Sequence, residues 1–164
     1  MTMVKGSEGP IIEVRDLHFG YPGRPILKGL SLNIPRGKLV AILGASGCGK
    51  STLLRLIGGQ LRPASGDITV MGKLVHSLDN DALYELRRKM GLMFQAGGLF
   101  SDLTVFENVA YPLREHTELS ENIIWQMVLM KLNAVGLRGT WKLATSELSG
   151  GMARRVALAR AVAI

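Results

Sequence analysis

The sequence predicts an α/β fold in which short antiparallel strands lead into a strand, loop and helix core, followed by a helical subdomain. Three observations carry that reading. Apolar residues come in short alternating stretches between Ile11 and Ile34. The unbroken apolar run Leu39-Val40-Ala41-Ile42-Leu43 passes at once into glycines and then into helical periodicity. Beyond Ser101 the pattern is helix and loop. The expected organisation is a tail over residues 1–10, a β subdomain and core over 11–95, and a helical subdomain over 96–164, with no internal repeat and no low-complexity linker.

Ile12 and Val14, then Leu30, Leu32 and Ile34, are separated by the turn signals Tyr21-Pro22-Gly23 and Pro35-Arg36-Gly37, which makes antiparallel strands the natural reading. The run Leu39–Leu43 has the character of a strand buried on both faces. Leu53, Leu56, Ile57 and Leu61 repeat at helical spacing, and Pro63 with Gly66 is expected to end that helix. Residues 67–75 read as a hairpin around Met71-Gly72-Lys73. A helix capped by Asp79 or Asn80 and a short strand over 91–94 should follow. The remaining helices are expected from Thr104 to about Tyr111, from Ser120 to Val135 with Gly136 as the stop, and from Gly151 onward.

With 164 residues, 47% hydrophobic and 20% charged, the chain has the composition of a folded globular protein rather than a disordered one. No apolar run approaches the roughly 18–20 residues that cross a bilayer, and the opening ten residues lack the apolar stretch of a secretory signal. The single cysteine, Cys48, excludes an internal disulfide and fits a reducing compartment, and the chain is expected in the cytosol. The net charge of +7 suits a polyphosphate ligand, a nucleic acid or an anionic membrane surface. It is equally that of a solvated basic surface, because the Lys and Arg residues are scattered.

Gly44-Ala45-Ser46-Gly47-Cys48-Gly49-Lys50-Ser51 satisfies G-x-x-x-x-G-K-[ST], between an apolar run and an amphipathic helix. Successive backbone N–H groups and a helix N-terminus make an anion site there, and glycine lets the backbone approach phosphate. Lys50 is expected to set its ammonium against the β- and γ-phosphates of ATP. The Ser51 hydroxyl is expected on Mg²⁺, with Thr52 behind it on the helix. Cys48 is either an inert small side chain or a thiol activated by the helix N-terminus and Lys50.

Leu148-Ser149-Gly150-Gly151-Met152 opens a helix on which Met152, Val156, Ala159 and Ala163 share a face. Alone, the serine and glycines would be an ordinary helix cap. About a hundred residues after a phosphate loop, with Phe94-Gln95 between, they resemble the signature segment of the ATPase domain of ABC transporters. The resemblance implies a P-loop NTPase core with an antiparallel β subdomain and a helical signature subdomain. It also implies that Gln95 senses the Mg²⁺ and water site, and that Tyr21, after Phe19-Gly20, stacks on adenine. Residue chemistry alone leaves Tyr21 as either such a platform or a core or turn tyrosine. By the same resemblance Ser149, Gly150 and Gly151 meet the γ-phosphate of an ATP held by the phosphate loop of a second copy, in a head-to-tail dimer.

Further segments narrow the likeness: Leu53 to Gln60, Gly98-Leu99-Phe100, Val105 to Arg114 and Ala134 to Gly139 are similar to the ATPase subunits of MCE-associated phospholipid transporters, the Mla or toluene-tolerance systems of bacteria. Ala45 stands where that family usually has proline, and Ala96-Gly97 where it has Ser-Gly. The resemblance implies an integral-membrane permease as direct partner, an MCE-type lipid-binding subunit as indirect partner, no nucleic acid, and a place on the cytoplasmic face of the inner membrane. It also implies, after the signature helix, an apolar strand ending in Asp-Glu and then a histidine. Residues 1–164 hold no such run: Asp79-Asn80-Asp81 opens a helix, and His18, His76 and His116 lie upstream and are expected at the surface. The expectation is therefore a fold incomplete at its C-terminus that binds ATP without hydrolysing it, with apolar surface exposed where the missing strand would lie beside 39–43.

Overall fold

In the computed structural model, residues 9–95 and 97–164 are described, and they form two compact units that meet in the chain between Glu85 and Leu86. The first unit is built on a four-stranded antiparallel sheet of order β2-β1-β3-β4. Strand β1 (Ile12–Tyr21) and strand β2 (Arg24–Ile34) form a hairpin closed by Pro22-Gly23. Proline presets its own φ and Gly23 takes the positive one, at 72°.

Strict alternation would put Val14 and Asp16 on one face. Instead Asp16 adopts φ 43° at a register shift, its N–H donating to Ser31 Oγ at 2.9 Å, and the extra residue turns Leu17 inward beside Val14. Strand β3 (Ser65–Val70) pairs with the other edge of β1 and buries Ile68 and Val70 on alternate positions. Gly66 passes so close to β1 that a Cβ there would lie 2.2 Å from the Asp16 carbonyl oxygen. The hairpin to β4 (Lys73–Leu74) turns at Met71-Gly72, with φ 51° and 79°, the paired positive values that suit the twist of a two-residue hairpin.

Helix α1 (Lys50–Ile57) covers the sheet, with Leu53, Leu56 and Ile57 buried and the helix set against β3. It is shorter than its apolar periodicity suggests. Gly58 caps it and Gly59 at φ 67° ends it, in a spot where a Cβ would meet Leu83 at 2.8 Å, so Leu61 is not helical. Helix α2 (Asn80–Arg87) is capped by Asp79, whose Oδ1 accepts the Ala82 N–H at 2.8 Å.

The second unit packs three helices. Helix α3 (Val105–His116) starts in a reciprocal cap: Thr104 Oγ1 accepts the Glu107 N–H, and the Glu107 carboxylate accepts the Thr104 N–H. It continues through Pro112 instead of stopping near Tyr111. Helix α4 (Glu121–Ala134) ends before Gly136 at φ 71°, and helix α5 (Gly150–Ala161) begins after Ser149. Val109, Leu113, Ile124, Val128, Leu132, Val156, Ala159 and Ala163 fill the core, with Met152 packed against it, so the face expected of α5 is the face buried. Phe106, Trp125 and Trp141 cluster at one side, Trp141 edge-on to both of the others and Phe106 tilted against Trp125, with Trp125 and Trp141 centroids 4.6 Å apart.

Two expected strands do not form. Residues 39–43 and 91–94 pair with no strand among the described residues. Leu39 and Leu43 are 102% and 90% exposed, and Phe94 makes only an isolated bridge to Gly97. A strand exists only through hydrogen bonds to neighbours on its flanks, so apolar character alone does not create one. The histidines lie half-buried at the surface, with His18 at 3.2 Å from Asp16 and His76 at 3.4 Å from Asp67.

Candidate functional site

The phosphate loop lies in the first unit. Gly47 at φ 78° and Gly49 at φ 102° take left-handed conformations that side chains resist, and Gly49 is hemmed in besides. A Cβ on Gly49 would meet Ile26 at 2.8 Å, and one on Gly44 would meet Cys48 Sγ at 2.7 Å. Strand β2 is thus the wall against which the loop closes. The Lys50 ammonium donates to the carbonyl oxygens of Gly44 and Ala45, both at 2.8 Å, and lies 3.6 Å from Cys48 Sγ. It reaches back across the mouth of the loop rather than out to solvent.

Helix α1 begins with no side-chain cap and no acidic residue in its first turn, leaving its opening amides to whatever occupies the loop. Ala45, Ser46, Cys48 and Ser51 are exposed, and Thr52 is half-buried on the helix behind them. These donors fit a polyphosphate: a curl of glycine-freed backbone, a helix N-terminus, an ammonium and a hydroxyl. The exposed Ser51 hydroxyl fits Mg²⁺ as one oxygen ligand among several, the others being phosphate and water. No group of three or more His, Cys, Asp or Glu able to hold a metal occurs among the described residues.

Tyr21 sits at the tip of the β1–β2 hairpin, 42% exposed, its ring edge-on to Phe19 at 5.2 Å. It belongs to the rim of a shallow hollow of about 530 Å³ that also takes in His18, Phe19, Arg24 and Lys28. Arg24 was not a sequence candidate. Its Nη2 lies 3.9 Å from where a Cβ on Gly47 would stand, so the hairpin tip brings a cation to the phosphate loop. The only sequence hint was its place immediately after the Pro22-Gly23 turn.

Gln95 and the serine-glycine segment lie in the second unit. Gln95 is exposed on a tight turn in which the Gly97 N–H donates to the Phe94 carbonyl at 2.9 Å. Ser149 is the cap of α5, its Oγ accepting the Met152 N–H at 3.3 Å. Gly150 and Gly151 are exposed with nothing within 4 Å of a would-be Cβ, and α5 has no acid in its first turn. That helix end is open and able to receive an anion. The candidates therefore gather in two groups: Tyr21 with residues 44–52 in the first unit, and Gln95 with Ser149, Gly150 and Gly151 each in the second.

Sequence reasoning also passed over Asn108 and Arg160. Asn108 is fully buried; it accepts the Phe100 N–H at 2.8 Å and donates to the carbonyls of Phe100, Leu103 and Thr104 at 3.0–3.2 Å. A polar residue between Val105 and Val109 on an apolar helix face was the available signal.

A glycine-rich phosphate loop on an antiparallel sheet, with a serine-capped helix following in a helical unit, is the arrangement of an ATP-binding cassette. The family model described as ABC transporter matches residues 27–164, and the chain belongs to that family. Its structure superposes on the ATP-binding cassette MJ0796, solved as a dimer in a post-hydrolysis state bound to ADP and Pi, with TM-score 0.84 and 33% identity over 93% of this chain and 69% of that one. It also matches cbiO1 from Clostridium perfringens, part of the ABC transporter complex cbiONQ, with TM-score 0.83 and 33% identity over 95% and 62% of the two chains.

Among curated sequences the chain is 56% identical to the intermembrane phospholipid transport system ATP-binding protein MlaF of Haemophilus influenzae and 53% identical to that of Escherichia coli, over 94% and 96% of its length. It spans 58% and 59% of those relatives.

Proposed function

We propose that this chain is the nucleotide-binding part of an ATPase that energises phospholipid transport between bacterial membranes. One observation carries the reading: the Lys50 ammonium turned back onto the Gly44 and Ala45 carbonyls inside a left-handed glycine loop at an uncapped helix start. The 53–56% identity to MlaF supports the phospholipid assignment within the family.

ATP with Mg²⁺ supplies a bound triphosphate whose negative charge the site is built to meet. The loop amides and Lys50 hold phosphate oxygens, Ser51 ligates the cation, and Gln95 senses it. Tyr21 offers a ring face to adenine, and Arg24 adds a second positive charge. Ser149, Gly150 and Gly151 close over the γ-phosphate held by a second copy, so that the dimer forms around nucleotide. A membrane permease takes up that closure, an MCE-type subunit receives the lipid, and the ATPase works on the cytoplasmic face of the inner membrane. Among the described residues no helix is long and apolar enough to cross a membrane.

Residues 1–164 by themselves bind ATP without turning it over. They lack an apolar strand ending in Asp-Glu, and a missing general base costs about 10²- to 10⁴-fold. A nucleic-acid-directed ABC ATPase is the alternative that the +7 charge would suit.

The test is replacement in cells lacking the corresponding ATPase. Full-length protein should restore the phospholipid asymmetry of the outer membrane, and Lys50→Ala should not. Restoration by Lys50→Ala, or none by the wild type despite normal assembly with the permease, would overturn the assignment.

A further inference from the structure

Arg160 lies on the last turn of α5, on the helix that Ser149 begins. Its guanidinium donates to the carbonyls of Gly97 at 3.2 Å and Gly98 at 2.8 Å, reaches Asn108 Oδ1 at 3.5 Å, and sits 5.3 Å from the centre of the Phe100 ring. Gly97 and Gly98 have φ 82° and 60°, conformations open to glycine, which aim their carbonyls at the arginine. Gly97 is buried on the same helix, where a Cβ would contact the Ala153 carbonyl and Ala157 at 3.6 Å. The stretch that follows, 100–104, is held from the other side by Asn108 of α3. The clamped segment starts two residues after Gln95.

The choice of arginine here is not explained by stability. No carboxylate among the described residues pairs with Arg160, and burial pushes its guanidinium below the ordinary value, so its charge is met only by carbonyl and amide oxygens and the Phe100 ring. An apolar side chain of similar length would fill the same space without desolvating a charge. What it would lack is the planar fork, five donors in fixed geometry able to hold two successive carbonyls at once.

We infer that Arg160 is a positioning residue that seats the Gln95 loop on the helix begun by Ser149, so that a shift of α5 is passed directly to Gln95. The inference rests on the proposed ATPase function and deepens it. Two segments assigned separate roles become one mechanical piece, and Arg160 is its pin. Because Lys50 and its loop belong to the other unit, the device acts on turnover and on the response to Mg²⁺ rather than on nucleotide affinity.

The test is a double-mutant cycle in the full-length ATPase assembled with its permease, using Arg160→Met, Gln95→Ala and the pair together. Arg160→Met should lower kcat by about tenfold to a hundredfold, the loss typical when a group that orients a metal ligand is removed. The Mg²⁺ concentration for half-maximal rate should rise, while the ATP KM stays within about twofold of the wild type. The pair should be no slower than Gln95→Ala alone. Hydrogen exchange of α3 and α4 checks that the variants fold; if Arg160→Met does not, Arg160→Lys, which keeps the charge but not the fork, goes through the same cycle.

Losses that multiply across the pair, or an Arg160 variant with wild-type kcat and Mg²⁺ response beside a deficient Gln95→Ala, would overturn the positioning role and leave the ATPase assignment standing. Wild-type turnover in Gln95→Ala itself would remove the role of Gln95, and this inference with it. A wild-type assembly without Lys50-dependent turnover would instead strike at the proposed function.

Discussion

Replacing Asn108 by alanine should destabilise the helical unit by about 3 kcal/mol. The amide makes five hydrogen bonds in a fully buried position, accepting from the Phe100 N–H and, at 3.5 Å, the Arg160 guanidinium, and donating to three carbonyls. Two of those carbonyls keep another donor, since Leu103 N–H reaches Phe100 and Asn108 N–H reaches Thr104. The Phe100 N–H keeps none. At about 1 kcal/mol net for each lost bond, and about 1–3 kcal/mol for a buried donor left unpaired, the sum is about 3 kcal/mol after allowing for the shared acceptors. With a denaturant slope of about 1.5 kcal/mol per M, the urea midpoint of the transition followed by tryptophan fluorescence should fall by about 2 M. Trp125 and Trp141 report on this unit alone. Asn108→Asp should not rescue it, because a carboxylate keeps the acceptor for Phe100 but opposes an anion to the three carbonyls. A change within about 0.5 kcal/mol for Asn108→Ala, the size of an ordinary surface substitution, would refute the account of how residues 100–104 are held.

Three other outcomes follow from the same geometry. Maleimide should label the exposed Cys48, and Mg-ATP should slow the labelling in proportion to occupancy of the loop; equal rates with and without nucleotide would place the phosphates elsewhere. In the full-length protein, Ser149→Arg should leave ATP binding intact yet abolish turnover and ATP-dependent dimerisation measured by light scattering, because the cap is open only while Gly150 and Gly151 stay uncrowded; normal dimerisation would refute the composite site. Hydrogen bonds from the Thr104 backbone and then its hydroxyl hold the Glu107 carboxyl below its ordinary range. Its contribution is therefore complete above the unfolded value of about 4.3 and is lost as pH falls through the lower folded value, so wild type and Glu107→Gln should converge in stability in acid and diverge toward neutrality. A constant difference across that window would contradict the cap.

Much of the fold was legible because its signals are local. Pro22-Gly23, Met71-Gly72, Asp79, Thr104 and Gly136 act within a few residues of themselves, and each turn or cap stands where the sequence indicates. The phosphate loop was legible for the same reason, its chemistry being packed into eight consecutive residues. Residues 39–43 mark the limit: five apolar residues specify that burial is favourable but not what buries them, and no strand among the described residues pairs with the run. Helix α1 stopped early because Gly58-Gly59 outweighs the apolar repeat that continues to Leu61. Helix α3 ran past Pro112 because packing of Val109, Ala110 and Leu113 overrides one lost backbone bond. Arg160 and Asn108 stand 52 positions apart in the chain, so the clamp they form on residues 97–104 had no local trace.

The measurement that bears most directly on the central claim is calorimetric titration of residues 1–164 with Mg-ATP. The wild-type chain should bind one equivalent. Lys50→Ala should weaken binding by about tenfold or more, as expected from losing a charge-assisted contact of about 1.5–3 kcal/mol, and Tyr21→Ala should weaken it less. Binding that is unchanged by Lys50→Ala, or an absence of binding in a chain whose sheet and helices are intact by circular dichroism, would contradict the account.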